Sequence, residues 1–108
     1  MENTSPFVAM QRAETYMKTL LRSIDPDTLE DTERKAVAYM KRLLVDVRLD
    51  IRDYELSETR LEQVENAVEA KNRLAKLQAC ILAAGTVFGP ADVAQLSAQL
   101  EQINGWLQ

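Results

Sequence analysis

Residues 50–64 read DIRDYELSETRLEQV, and the fold turns on whether the chain bends there or runs straight through. Upstream, Val37, Met40, Leu44, Val47, Ile51 and Tyr54 step by three and four, the spacing that gathers apolar side chains on one face of an α-helix. Downstream, Leu61, Val64 and Val68 begin a second such ladder. After a polar gap it continues through Leu74, Leu77, Ile81, Ala84 and Phe88. No glycine or proline lies between Pro26 and Gly85, and Val47, Tyr54, Leu61, Val68 and Leu82 share one heptad phase. One reading is therefore a continuous helix from Thr32 to Ala84, giving a long helical hairpin that completes its core by dimerisation. Against it, Leu56-Ser57 followed by Leu61 has the spacing of a hydrophobic staple around a serine N-cap. The favoured expectation is a tight turn at Tyr54 to Ser57.

Two further ladders flank this region. Met10, Ala13, Met17, Leu20 and Ile24 form the first, and Val93, Leu96, Leu100, Ile103 and Leu107 the last. Ser5-Pro6 supplies an N-cap followed by proline at the first helical position, where a missing donor costs nothing. Asp25-Pro26 ends that helix, because the residue before a proline is pushed out of the α region. Asp27 with Glu30 has the spacing of a short capped turn. Gly85 suits a left-handed helix end, Gly89-Pro90 opens the next helix, and Gly105 is placed to cap it. The expectation is a single all-α domain over residues 1–108, an up-down four-helix bundle with helices at about 6–24, 32–54, 57–84 and 90–104. Ala75, Ala79 and Ala83, with Ala91, Ala94 and Ala98, are expected to let the third and fourth helices approach closely.

Composition narrows the chemistry. The chain has 108 residues, no histidine, one cysteine, and 13 basic against 17 acidic residues for a net charge of −4. Without histidine there is no Ser-His or Cys-His nucleophile pair, no neutral-pH imidazole shuttle and no Glu-x-x-His di-iron signature. Cys80 alone builds no structural zinc site, and among apolar neighbours it reads as a small buried hydrophobe. Unable to form an internal disulfide, it points to a reducing cytoplasm. No run reaches the ~18 apolar residues of a membrane span, and the first twenty residues carry no signal-peptide pattern.

The charged stripes read first as solvated helix faces. Glu58, Glu62, Glu65 and Glu69 make one ridge, and Asp46, Asp50 and Asp53 another, without the glycine turn of a calcium loop. Glu30–Arg34, Asp31–Lys35 and Glu69–Arg73 are spaced i,i+4 with the acid first. Arg34, Lys41, Arg48 and Arg52 share a stripe, but aspartates sit among them and no aromatic residues are interleaved. Nucleic-acid binding through this helix is thus the least favoured function. The C-terminal third is the least ordinary region: from Leu77 to Gln108 only Asp92 and Glu101 are charged. Protein contact surfaces are depleted in Lys and Glu and enriched in aromatics.

The function expected from these features is a non-enzymatic, cytoplasmic helical interaction module that self-associates, with a homodimer favoured. It would act as an adaptor, small chaperone or regulator. Gln95, Gln99, Gln102 and Trp106 are the expected contact face, with Arg34, Lys41 and Arg48 as a second candidate. No cofactor, metal or membrane is implied. The alternative is a ligand-binding bundle or minor enzyme using carboxylates such as Glu62, Glu65 or Asp50, which requires an inward-facing acid with a raised pKa.

Overall fold

A computed structural model describes residues 5–84 and 87–107. Four helices account for most of them: α1 (Pro6–Arg22), α2 (Asp31–Glu55), α3 (Arg60–Ala83) and α4 (Pro90–Trp106). A single 3-10 turn, Pro26–Thr28, lies between α1 and α2. The sequence-based bounds hold to within a few residues. The expected caps differ more. Ser5 accepts a hydrogen bond from the Val8 amide and caps α1 as expected. Asp25, rather than Asp27, caps the 3-10 turn, its Oδ1 accepting from the Asp27 amide at 3.0 Å. Gly105 does not end α4, which runs through it to Trp106. The Gly85 cap lies outside the described residues.

The chain does bend between α2 and α3, so the continuous 32–84 helix is not formed. The N-cap is Thr59, not Ser57: Thr59 Oγ1 accepts from the Glu62 amide at 3.1 Å. Ser57 belongs to the end of α2 instead, donating its hydroxyl to the Asp53 carbonyl at 2.8 Å. Asn66, in the second turn of α3, donates to Ser57 Oγ at 2.9 Å and to the Asp53 carbonyl at 3.2 Å. A terminal carbonyl of α2 that a straight helix would have satisfied is thereby satisfied from its neighbour. The bend needs no glycine, since no described residue has a positive φ.

Each helix packs on its neighbours in ring order: α1 on α2, α2 on α3, α3 on α4, and α4 back on α1, with almost nothing across the diagonals among the described residues. That order defines an up-down four-helix bundle. The α2–α3 contact is the most extensive, because these helices have 25 and 24 residues against 17 for each of the others. The bundle is flattened, with Cα extents of 47 × 30 × 17 Å. Its core is continuous: Met10 and Met17 from α1, Met40, Leu44, Val47 and Ile51 from α2, Leu74, Leu77 and Ile81 from α3, and Leu96, Leu100 and Ile103 from α4. Phe88, in the α3–α4 connection, closes one end.

Two packing expectations fail. Ala75, Ala79, Ala83, Ala91, Ala94 and Ala98 are all exposed, and the small residues in the core of α3 are Ala67 and Ala70. The third ladder is also not one face. Val68 to Leu74 is six residues, a turn of about 600° that leaves them about 120° apart around the helix. Leu74, Leu77 and Ile81 enter the core with Ala67 and Ala70, whereas Leu61, Val64 and Val68 point outward. The polar gap in the ladder is a change of face.

Candidate interaction surface

The outer side of α3 carries a second apolar seam. Leu61, Val68, Ala75 and Leu82 recur every seven residues, with Val64 and Ala79 beside them, and all six are exposed. Leu61 is 69%, Val68 53% and Leu82 63% exposed, values typical of polar positions. Val68, Ala75 and Leu82 each directly follow a core residue, about 100° further around the helix, so α3 is apolar on two adjacent faces, one filled and one bare. The seam spans 21 residue steps, roughly 32 Å of helix. Lys71 and Gln78 interrupt it, both half-buried, with aliphatic stems that extend the apolar surface. On α2 and its C-cap residue a shorter outer strip holds Val45, Leu49 and Leu56, with Arg42 and Arg52 close by in the sequence.

The expected contact face on α4 is present as a stripe, but its residues are partly engaged within the bundle. Gln95, Gln99, Gln102 and Trp106 follow one another at steps of four, three and four along one side of α4. That side borders α1. The Tyr16 hydroxyl donates to Asp92 Oδ1 at 2.7 Å and lies 3.2 Å from Gln95 Oε1. Acceptance by the Asp92 carboxylate, with some burial, raises the Tyr16 pKa above 10.0, since the phenol must keep its proton to donate. Gln99 is half-buried and its Oε1 has no hydrogen-bond partner among the described residues. Trp106 is half-buried and its carbonyl accepts from the Tyr54 hydroxyl at 3.4 Å. Gln102 is exposed.

The second candidate set, Arg34, Lys41 and Arg48, also falls on one stripe, facing the groove between α1 and α2. Arg48 Nη1 pairs with Glu14 Oε1 at 3.2 Å, and Arg34 holds the Leu29 carbonyl through Nε at 3.1 Å and Nη2 at 2.9 Å. Among the described residues only Lys41 of the three makes no hydrogen bond or ion pair. It stands at the mouth of a small cleft of about 220 Å³ lined by Leu21, Ile24, Pro26 and Val37.

The acidic ridges are distributed in the same way. Arg73 Nη1 lies 2.8 Å from both oxygens of Asp50, joining α2 to α3. Burial raises the Asp50 pKa, and it outweighs the opposing pull of Arg73. Glu62 Oε2 accepts from the Glu58 amide at 3.2 Å, and Glu65 is exposed. No group of three or more Asp, Glu, Cys or His among the described residues is arranged to hold a metal ion. Among the described residues the i,i+4 ion pair that forms is Glu14–Lys18, at 3.1 Å. Arg34 and Arg73 instead reach Leu29 and Asp50. Cys80 is half-buried, and burial raises its thiol pKa, the opposite of what a nucleophile needs.

Sequence reasoning missed two things. Glu14, at 3% exposure, is a carboxylate inside the α1 ladder, and the missed signal was its place beside Ala13 on the apolar face. The bare seam on α3 was visible as exposed heptad phase in Leu61, Val68 and Leu82, but merged into the core ladder. No helix among the described residues is long and apolar enough to cross a membrane. No protein-family model, no curated protein and no solved structure matches this chain.

Proposed function

We propose that this chain is a non-enzymatic protein–protein interaction module of the cytoplasm, an adaptor, small chaperone or regulator that presents the outer face of α3 to other polypeptides. The observation that carries this reading is the exposure of Leu61, Val64, Val68 and Leu82 along one seam, bridged between Val68 and Leu82 by Ala75, Ala79 and the aliphatic stems of Lys71 and Gln78. The bundle beside it already has a complete core. Apolar residues scattered singly over a surface need no explanation, whereas a contiguous stripe beside polar neighbours marks a contact site. An α-helix presenting apolar side chains at heptad spacing suits docking of another helix, with affinity from the apolar anchors and selectivity from the charges along the rim. The Gln95, Gln99, Gln102 and Trp106 stripe is the lesser candidate, because Gln95 and Trp106 make contacts inside the bundle.

The test is affinity capture from native lysate with the wild-type chain and with a Val68→Lys/Leu82→Lys variant. Both positions are exposed, lysine is a good helix former, and a cation at position 82 sits favourably near the C-terminus of α3. Specific proteins retained by the wild type and lost with the variant are the expected result. Identical retention by both proteins would refute a role for α3.

A further inference from the structure

We infer that the occupant of the α3 seam is a second copy of this chain, docked antiparallel so that α3 pairs with α3 about a two-fold axis near Lys71 and Asn72. This rests on the reading of α3 as the interaction surface, and goes further by fixing the partner and its direction.

Side-chain volume supports the antiparallel direction. The N-terminal half of the seam is bulky, with Leu61, Val64 and Val68, and much of the C-terminal half is small, with Ala75 and Ala79 before Leu82. Reversing one copy sets Val68 against Ala75 and Val64 against Ala79, while Leu61 meets Leu82. Large then faces small along most of the contact, which lets the helix backbones approach without voids. A parallel pairing sets valine on valine and alanine on alanine, crowding one half and leaving the other gapped.

Charge supports the same direction. Along the flank of the seam, Glu62, Glu65 and Glu69 lie toward the N-terminus and Lys76 toward the C-terminus. None of these four is in an ion pair among the described residues. In the antiparallel register Glu69 of one copy stands opposite position 74 of the other, two residues or about 3 Å of rise from Lys76 and within reach of that flexible side chain, and the two-fold axis repeats the contact. Parallel copies would set Glu65 beside Glu65 and Lys76 beside Lys76, which costs both affinity and selectivity. The outer strip of α2 offers no such match. It is shorter, with only Val45 and Leu49 on the helix itself, and it lacks the large-against-small order that α3 offers. An isologous contact of this kind closes after two subunits.

Two experiments decide the matter. Mass in solution is measured by sedimentation from about 1 μM to about 1 mM. A concentration-dependent dimer is expected, with the Val68→Lys/Leu82→Lys variant weakened on the order of a hundredfold or more, since each dimer carries the changes twice. Circular dichroism checks that the variant retains its helices. Direction is read by mixing Val68→Cys and Ala75→Cys chains, each also carrying Cys80→Ala, under mild oxidation. Antiparallel docking predicts predominantly the mixed disulfide between positions 68 and 75. Homodisulfides alone would overturn the antiparallel register, as would a dimer indifferent to the lysine changes. A chain that stays monomeric throughout, yet loses its captured proteins in the lysine variant, would overturn self-pairing and leave the interaction module standing. Loss of neither mass nor capture would overturn both.

Discussion

Arg48 on α2 reaches across to Glu14 on α1, with Nη1 3.2 Å from Oε1, and the two ends of this ion pair live in different surroundings. The Glu14 side chain is 4% exposed and the Arg48 side chain 34% exposed. Lys18 Nζ, 3.1 Å from the other carboxylate oxygen, completes the neutralisation. A charged carboxylate on the same face as Met10, Ala13 and Met17 is tolerable only because two cations meet it there.

That asymmetry predicts unequal mutants. Arg48→Met strands a buried carboxylate with only a solvent-facing lysine, and is expected to lower stability by about 2–3 kcal/mol, at the low end for buried pairs because Arg48 is partly solvated. Glu14→Met removes the buried charge and lets Arg48 turn to water, so the loss should be under about 1 kcal/mol. Urea midpoints of the two variants measure the difference. Equal losses would contradict the assignment of Glu14 as the enclosed partner.

Tyr16 couples α1 to α4 through Asp92, and its raised pKa gives this contact a pH signature. A tyrosine with a folded pKa above its unfolded value stabilises the protein fully below about pH 10, and that contribution fades as pH rises through the folded pKa. Tyr16→Phe should therefore melt at a lower temperature than wild type at neutral pH. The gap should narrow in alkaline solution. A constant gap across that range would show that Tyr16 acts by packing alone.

The α2–α3 bend gives a third expectation. Thr59→Ala removes the α3 N-cap and should cost about 1 kcal/mol. Asn66→Ala deletes the amide that secures Ser57 Oγ and the Asp53 carbonyl, and should cost about 1–2 kcal/mol because that contact is partly buried. Amide hydrogen exchange at the last turn of α2 would rise in Asn66→Ala. Unchanged exchange there would mean that the bend is held by packing rather than by Asn66.

The two apolar faces of α3 should separate cleanly in stability. Leu77→Ala, from a fully buried position, is expected to cost about 2–5 kcal/mol. Val68→Lys, from a position 53% exposed, should stay within about 0.5 kcal/mol. Thermal melts at low protein concentration, where any dimer has dissociated, provide the comparison. A large loss for Val68→Lys would place Val68 in the fold rather than at a docking surface.

Four helices, their order and most of their core were legible in the order of residues alone. Ladders of three and four residues are set by helical geometry, and each one-sided helix must bury its face. The α1 and α4 ladders entered the core almost unchanged, as did Met40, Leu44, Val47 and Ile51 of α2. Packing between helices settled what happened where one helix had apolar residues to spare. In α3, local spacing could not say whether Val68 or Ala67 would face the bundle. The core took Ala67 and Ala70 because α3 must lie close to its neighbours, and that rotation turned Leu61, Val68 and Leu82 outward. The same holds for charge. The residue pattern offered Arg34 and Arg48 as a surface stripe, but the approach of α1 and the 25–29 segment gave them Leu29 and Glu14 as partners. Residues 50–64 illustrate both halves. They held a turn signal, and the bend exists; its cap is Thr59 rather than Ser57, because Asn66 from the returning helix claims the serine.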